Sequence, residues 1–174
     1  MGIIKKIKKS LYAKALANKV SLFKQKRRFQ GWDTVEVYSI LFEEEGFFPV
    51  EDVLNLTEKL RGQGKQVHLL CYLGEATKTG LPYKTFNNKD ISFNLVPKSN
   101  LVEEFTSKKV NIFYNLIPIE KEISEYISLT CNADFKIGLY DEHKSGLDLM
   151  INTKKPNLNE FIKTAENVLN NTYS

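Results

Sequence analysis

The chain has 174 residues, 42% of them hydrophobic and 26% charged, enough for one domain of ordinary size with a single core. Its net charge of +4 conceals a division: residues 1–30 hold eight Lys, two Arg and no acid, whereas residues 31–174 hold 15 basic and 21 acidic side chains. The longest uncharged apolar run of note, VNIFYNLIPI at 110–119, is about half the ~18 residues that a membrane-spanning helix needs, which excludes a transmembrane segment.

The N-terminal segment, MGIIKKIKKSLYAKALANKVSLFKQKRRFQ, is rich in helix-favouring Ala, Leu and Lys and reads as one long helix or two short ones. Over residues 3–11 a helical projection gathers Ile3, Ile4, Ile7 and Leu11 on one face and Lys5, Lys6, Lys8 and Lys9 on the other. Lys14 and Lys19 interrupt what a secretory signal would keep apolar. A mitochondrial presequence would share the acid-poor, amphipathic character but would favour Arg and Ser over Lys. Met1-Gly2 opens like a myristoylation signal, yet position 6 is Lys where that signal requires Ser or Thr. Phe29 and Trp32, at the junction, are read as staples between arm and body.

The body begins with DTVEVYSILFEE (33–44), a strand by its β-branched and aromatic content. PVEDVLNLTEKLRGQG follows as a helix with Val50, Val53, Leu54, Leu56 and Leu60 at helical spacing, stopped by Gly62 and Gly64. KQVHLLCYLG (65–74) is nearly continuous in apolar residues, as a central strand is. ATKTGLPYKTFNNKD reads as a polar loop, ISFNLVP (91–97) as the third strand, and NLVEEFTSK as a short helix capped by Ser99. The alternation continues with a strand at VNIFYNLIP and a helix at 119–133 whose Ile119, Ile123, Tyr126, Ile127 and Cys131 share a face. Two strands, ADFKIGLYD and GLDLMINT, flank the turn EHKS, and the closing helix directs Leu158, Phe161, Ile162, Ala165, Val168 and Leu169 inward. Alternating strands and helices imply a three-layer α/β sandwich with a mainly parallel, Rossmann-like sheet of about six strands, preceded by a basic helical arm: arm 1–30, α/β domain 31–174.

The strings DISFNLVPKSN, VNIFYNLIP, NADFKIGLYD and GLDLMINT, in this order before a C-terminal amphipathic helix, resemble the small α/β family DUF6913 of Bacteroidetes over roughly residues 33–172. That family carries no assigned activity, so the resemblance implies a fold and no site residues. A fainter likeness, of an aspartate, an apolar strand, a helix and Lys-Ile-Gly, is to one half of heptosyltransferase-like glycosyltransferases, whose second half a chain of this length does not accommodate.

A parallel sheet places ligands beyond the carboxyl ends of its strands. There Glu43-Glu44-Glu45 repels phosphate, no glycine-rich phosphate loop follows any strand, and Gly74–Gly80 lacks the Lys-Ser or Lys-Thr and helix start of a P-loop. Glu43, Glu45, Glu75, Asn115 and Asp141 are the polar groups placed to face a pocket. Cys71 and Cys131 lack ligand spacing and read as buried free thiols of a reducing, cytoplasmic compartment; His68 reads as a half-buried strand residue and His143 as a solvated turn residue. No catalytic residue, metal ligand or cofactor is indicated.

The arm therefore carries the functional expectation. Lys5, Lys6, Lys8, Lys9, Lys14, Lys19, Lys24, Lys26, Arg27 and Arg28 form a polyanion-binding set. RNA, in the manner of a ribosome-associated protein, is the first expectation, because Arg forks beside Phe29 suit phosphate and an unpaired base. An anionic inner-membrane surface is the alternative, on the strength of the amphipathic stretch at 3–11. A protein partner and an unrecognised, glycosyltransferase-like enzyme stand behind these.

Overall fold

The computed structural model describes residues 7–8, 10–17, 29, 31–118, 122–142 and 146–173. Among them helix α1 (10–17) and a short 3-10 turn at Trp32–Thr34 precede β1 (Val37–Glu43), α2 (Val50–Gly62), β2 (Gln66–Tyr72), β3 (Lys84–Phe86) and α3 (Asn100–Ser107). Then come β4 (Val110–Asn115), α4 (Glu122–Thr130), β5 (Ala133–Leu139), β6 (Leu149–Ile151) and α5 (Leu158–Tyr173). Six strands form one sheet in the order β3-β2-β1-β4-β5-β6, and every pairing is parallel. This doubly wound, Rossmann-like order places the topological switch point at the carboxyl ends of β1 and β4.

Both faces are covered, which is why the strands lack polar alternation. Tyr38, Ile40 and Phe42 of β1 join Ile112 and Tyr114 of β4 against α2 and α5, where Phe161 contacts Phe48 and Tyr114 edge-on at 5.4 and 6.4 Å. On the other face Leu41, Leu70 and Phe113 meet Val102 and Phe105 of α3 and Ile123, Tyr126 and Ile127 of α4. Phe29 packs on Trp32 and Phe135, with centroids 5.9 and 5.2 Å apart, and belongs to the α2/α5 face.

Local signals set the helix ends. Helix α2 closes in a Schellman turn, Lys65 N donating to Leu60 O and Gly64 N to Arg61 O, with Gly64 at φ 80°. The Ser99 hydroxyl accepts from Leu101 N at 3.3 Å and starts α3.

Two expectations are corrected. The third strand is Lys84–Phe86, inside the stretch read as loop; residues 91–97 instead form a tight loop closed by an antiparallel bridge between Ile91 and Pro97. On α5, Val168 is exposed while the other five residues named above are buried. Ile119 and His143 lie outside the described residues.

Candidate functional site

Helix α1 is fastened to the body through Tyr12. Its side chain is buried in the α3/α4 cluster, and its hydroxyl lies 3.0 Å from Glu122 O and 3.1 Å from Glu125 Oε2, the two acceptors that share its proton. Leu16, one turn on, packs against the same cluster. The docked face is thus Tyr12/Leu16, whereas of the apolar stripe expected from the sequence Ile7 is 50% and Leu11 44% exposed, and Ile3 and Ile4 lie outside the described residues. Lys14 is exposed, and the Lys8 ammonium stands 4.6 Å from the Phe93 ring centroid. Lys5, Lys6, Lys9, Lys19, Lys24, Lys26, Arg27 and Arg28 lie outside the described residues.

Beneath this end of α1 is a recess of about 440 Å³, bounded by Lys8, Tyr72, Asn88, Phe93, Glu122 and Ile123 together with Ile91, Ser92 and Leu95. Tyr72 ends β2 and Glu122 starts α4, so the recess opens at the carboxyl edge of the sheet. The Tyr72 hydroxyl donates to Asn88 Oδ1, and burial pushes its pKa above the usual value.

A smaller recess of about 220 Å³ opens at the switch point, where Phe47 and Pro118 meet Tyr140, Asp141, Asn152 and Thr153 beyond β5 and β6. Of the polar groups expected to face a pocket, Asp141 lines this one. Asn115 is instead wholly buried, its Nδ2 donating to Ser124 Oγ and Ser128 Oγ at 2.7 Å each and its Oδ1 accepting from Ile117 N at 3.1 Å. Glu45 and Glu75 are exposed and Glu43 is half-buried, so the five do not converge.

The member of the glutamate triplet that sequence reasoning left aside is the organised one. Glu44 accepts from Lys78 Nζ and Tyr83 OH, each at 2.7 Å, and from the Cys71 thiol at 3.8 Å. The Lys78 and Tyr83 hydrogen bonds hold the Glu44 carboxyl below its ordinary pKa, while burial pushes the Cys71 thiol well up. A protonated, buried thiol is a poor nucleophile. His68 is half-buried with its pKa lowered, first by burial and then by nearby Lys108 and Lys84. Among the described residues no three His, Cys, Asp or Glu gather as a metal site, and no helix is long and apolar enough to cross a membrane.

Residues 6–171 match the profile of a family described as a family of unknown function, DUF6913. The chain belongs to this family. No curated protein and no solved structure gives a significant match. The DUF6913 match begins at residue 6 and so takes in helix α1 and its Tyr12 contact as well as the whole sheet. It also covers the Lys-Ile-Gly string of β5, for which the structure supplies reasons. Lys136 is buried, and its Nζ donates to Ser128 O at 2.6 Å and Leu129 O at 3.5 Å, capping the end of α4. A Cβ on Gly138 would stand 2.7 Å from Leu147 Cδ1 and 3.0 Å from Asn115 O.

Proposed function

We propose that this DUF6913 protein is a docking protein, without catalysis of its own, that binds RNA through its basic N-terminal segment and works in association with the ribosome. The observation that carries the reading is the Tyr12 anchor. It joins α1 to the body and leaves Lys14 in solvent and Lys8 at the rim of a recess, within a segment of ten cations and no acid. The body, at −6, offers no competing basic surface by composition, so Coulomb attraction for a polyanion is concentrated at the arm. If six arm cations meet phosphates, counterion release makes affinity fall about a thousandfold between ~50 and ~200 mM salt. The test is a salt titration of RNA binding by the full chain and by a variant with Lys24, Lys26, Arg27 and Arg28 all changed to Gln, alongside sedimentation of native lysate. Weakened, less salt-sensitive binding by the variant and comigration with ribosomes support the reading; equal binding by both chains overturns it.

A second reading is favoured by a separate observation, the exposure of Ile7 and Leu11 on the side of α1 turned away from the body. Such a face would lie in the interface of an anionic membrane, with about 1 kcal/mol contributed by each nearby Lys. Flotation with anionic vesicles tests it: the wild type should float, and Ile7→Glu with Leu11→Glu should not. A wild type that stays at the bottom removes this reading.

A further inference from the structure

Among the described residues Phe93 and Tyr140 expose their rings to solvent, and Phe93 does so on a loop tied by its own hydrogen bonds. Phe93 is 59% exposed at the tip of the loop 91–97. That loop is fixed by the Ile91–Pro97 bridge, by Ser92 N donating to Val96 O and Leu95 N to Ser92 O, each at 2.9 Å, and by the Ser92 hydroxyl on Asn94 and Val96. Leu95 adopts φ 64°, a left-handed conformation that a residue with a Cβ takes only when its surroundings impose it. A strained loop that carries an exposed apolar ring two residues from the strained position favours a role for the ring outside the fold.

What surrounds Phe93 is chemically specific. The Lys8 ammonium is 4.6 Å from its centroid and, at the rim of the recess, supplies a positive charge beside the ring. The recess of about 440 Å³ beside it is within the range of small-ligand sites and has an apolar wall of Ile91, Leu95 and Ile123. Besides Lys8, its polar residues are Tyr72, Ser92, Asn88 and Glu122; the Asn88 Oδ1 is taken by Tyr72, and its Nδ2 is a donor. An aromatic platform, a cation and an amide together suit a nucleotide unit, with the base stacked, the phosphate drawn to the ammonium and the base edge read by the amide. The Glu122 carboxylate at the rim repels a dense anionic surface but accepts from an exocyclic amino group.

We propose that this recess binds one unpaired, amino-bearing nucleotide of an RNA strand, adenylate or cytidylate in preference to uridylate, with the base on Phe93 and its phosphate at Lys8. The proposal rests on the RNA reading and adds a named site to it.

The experiment measures binding of the full chain to fluorescein-labelled decamers of adenylate, uridylate and abasic ribose phosphate at one salt concentration. Phe93→Leu should weaken adenylate binding about tenfold or more and leave the abasic strand unaffected; Phe93→Trp should retain adenylate binding. An unchanged melting temperature verifies that Phe93→Leu folds. Equal adenylate affinity for Phe93→Leu and wild type, or a wild type that binds the abasic strand as tightly as adenylate, overturns the site. If that happens while the arm variant with four Gln still loses RNA, the RNA reading stands and only the recess falls. If no strand binds the wild type, both fall; a Phe93→Leu variant that loses vesicle flotation but not RNA assigns the ring to a lipid surface instead.

Discussion

The Tyr12 hydroxyl sits 3.1 Å from a carboxylate oxygen of Glu125, 113 positions further along the chain. This contact, with the Glu122 carbonyl beside it, joins helix α1, which lies within the segment that composition marks as an arm, to the α3/α4 face. Removing the arm would uncover Leu16's and Tyr12's packing partners, which is why charge substitutions in the full chain test its binding role more cleanly than truncation does. Tyr12→Phe keeps the ring and deletes the hydroxyl. The loss of a hydrogen bond to a partly buried carboxylate should cost about 1–2 kcal/mol, felt as local opening of α1. Hydrogen exchange should show amides 10–17 losing about tenfold or more in protection while the sheet is unchanged; unchanged protection at 10–17 would mean that the hydroxyl contributes nothing.

Glu44 predicts an acid-sensitive loop. Its pKa is lowered in the folded state by Lys78 and Tyr83, so its stabilisation is present above the ordinary glutamate value of 4.5 and is lost as pH falls below it. Glu44→Gln should mimic that loss at neutral pH, because Gln offers Lys78 a neutral acceptor in place of a charge. Trypsin should cut after Lys78 faster in the variant than in wild type at pH ~8, and equal cleavage rates would refute the tether.

How far the sequence disclosed this arrangement depends on how local each cause is. The Schellman turn at Gly64 and the Ser99 cap are set within a few residues and were legible, as were the buried faces of α2 and α4. Strand β3 was not: it is three residues long with Phe86 as its one buried member, and its place is decided by pairing with Leu70–Tyr72. The β-branched string at 91–97 misled because Ser92 and Leu95 bend it into a loop. In the N-terminal segment the Ile3/Ile4/Ile7/Leu11 stripe outweighs Tyr12 and Leu16 in any projection of the sequence, yet among the described residues the body selects the latter pair and leaves Ile7 and Leu11 exposed. Among three adjacent glutamates nothing local singles out Glu44, whose partners Lys78 and Tyr83 arrive from 34 and 39 positions away.

The contact between β4 and β5 gives two stability predictions. Gly138→Ala pushes a methyl against Leu147, which is able to yield, and against the Asn115 carbonyl, which as backbone cannot move without disturbing the ladder. Overpacking of this kind costs about 1–3 kcal/mol. Asn115→Ala leaves Ile117 N without its acceptor and removes the donor shared by Ser124 and Ser128, all in a buried setting, at a cost of about 2–3 kcal/mol. Both values are read from urea midpoints at constant slope. A value within ~0.5 kcal/mol of wild type for either variant would contradict the packing described.

Alkaline pH supplies the broadest test, since it reports on both faces at once. Burial raises the pKa of Tyr38 to about 12 and raises those of Tyr12, Tyr83 and Tyr114 well above the ordinary tyrosine value; Cys71 shifts the same way for the same leading cause. In the unfolded chain these groups ionise near their ordinary values, 10.0 for Tyr and 9.0 for Cys. Above those values the unfolded state binds fewer protons than the folded one, so the free energy of unfolding falls as pH rises. Below them all the groups are protonated in both states and contribute no slope. Urea midpoints should therefore be flat from pH ~7 to ~8.5 with respect to these groups, decline from about 9 and drop steeply past 10. The tyrosinate absorbance of Tyr12, Tyr38, Tyr83 and Tyr114 should appear together with the loss of circular dichroism, and Cys71 should resist thiol reagents until that point. If all eight tyrosines titrated near pH 10 with the circular dichroism intact, Tyr12 and Tyr114 could not occupy the buried positions on which the docking of α1 and the core of the sheet depend.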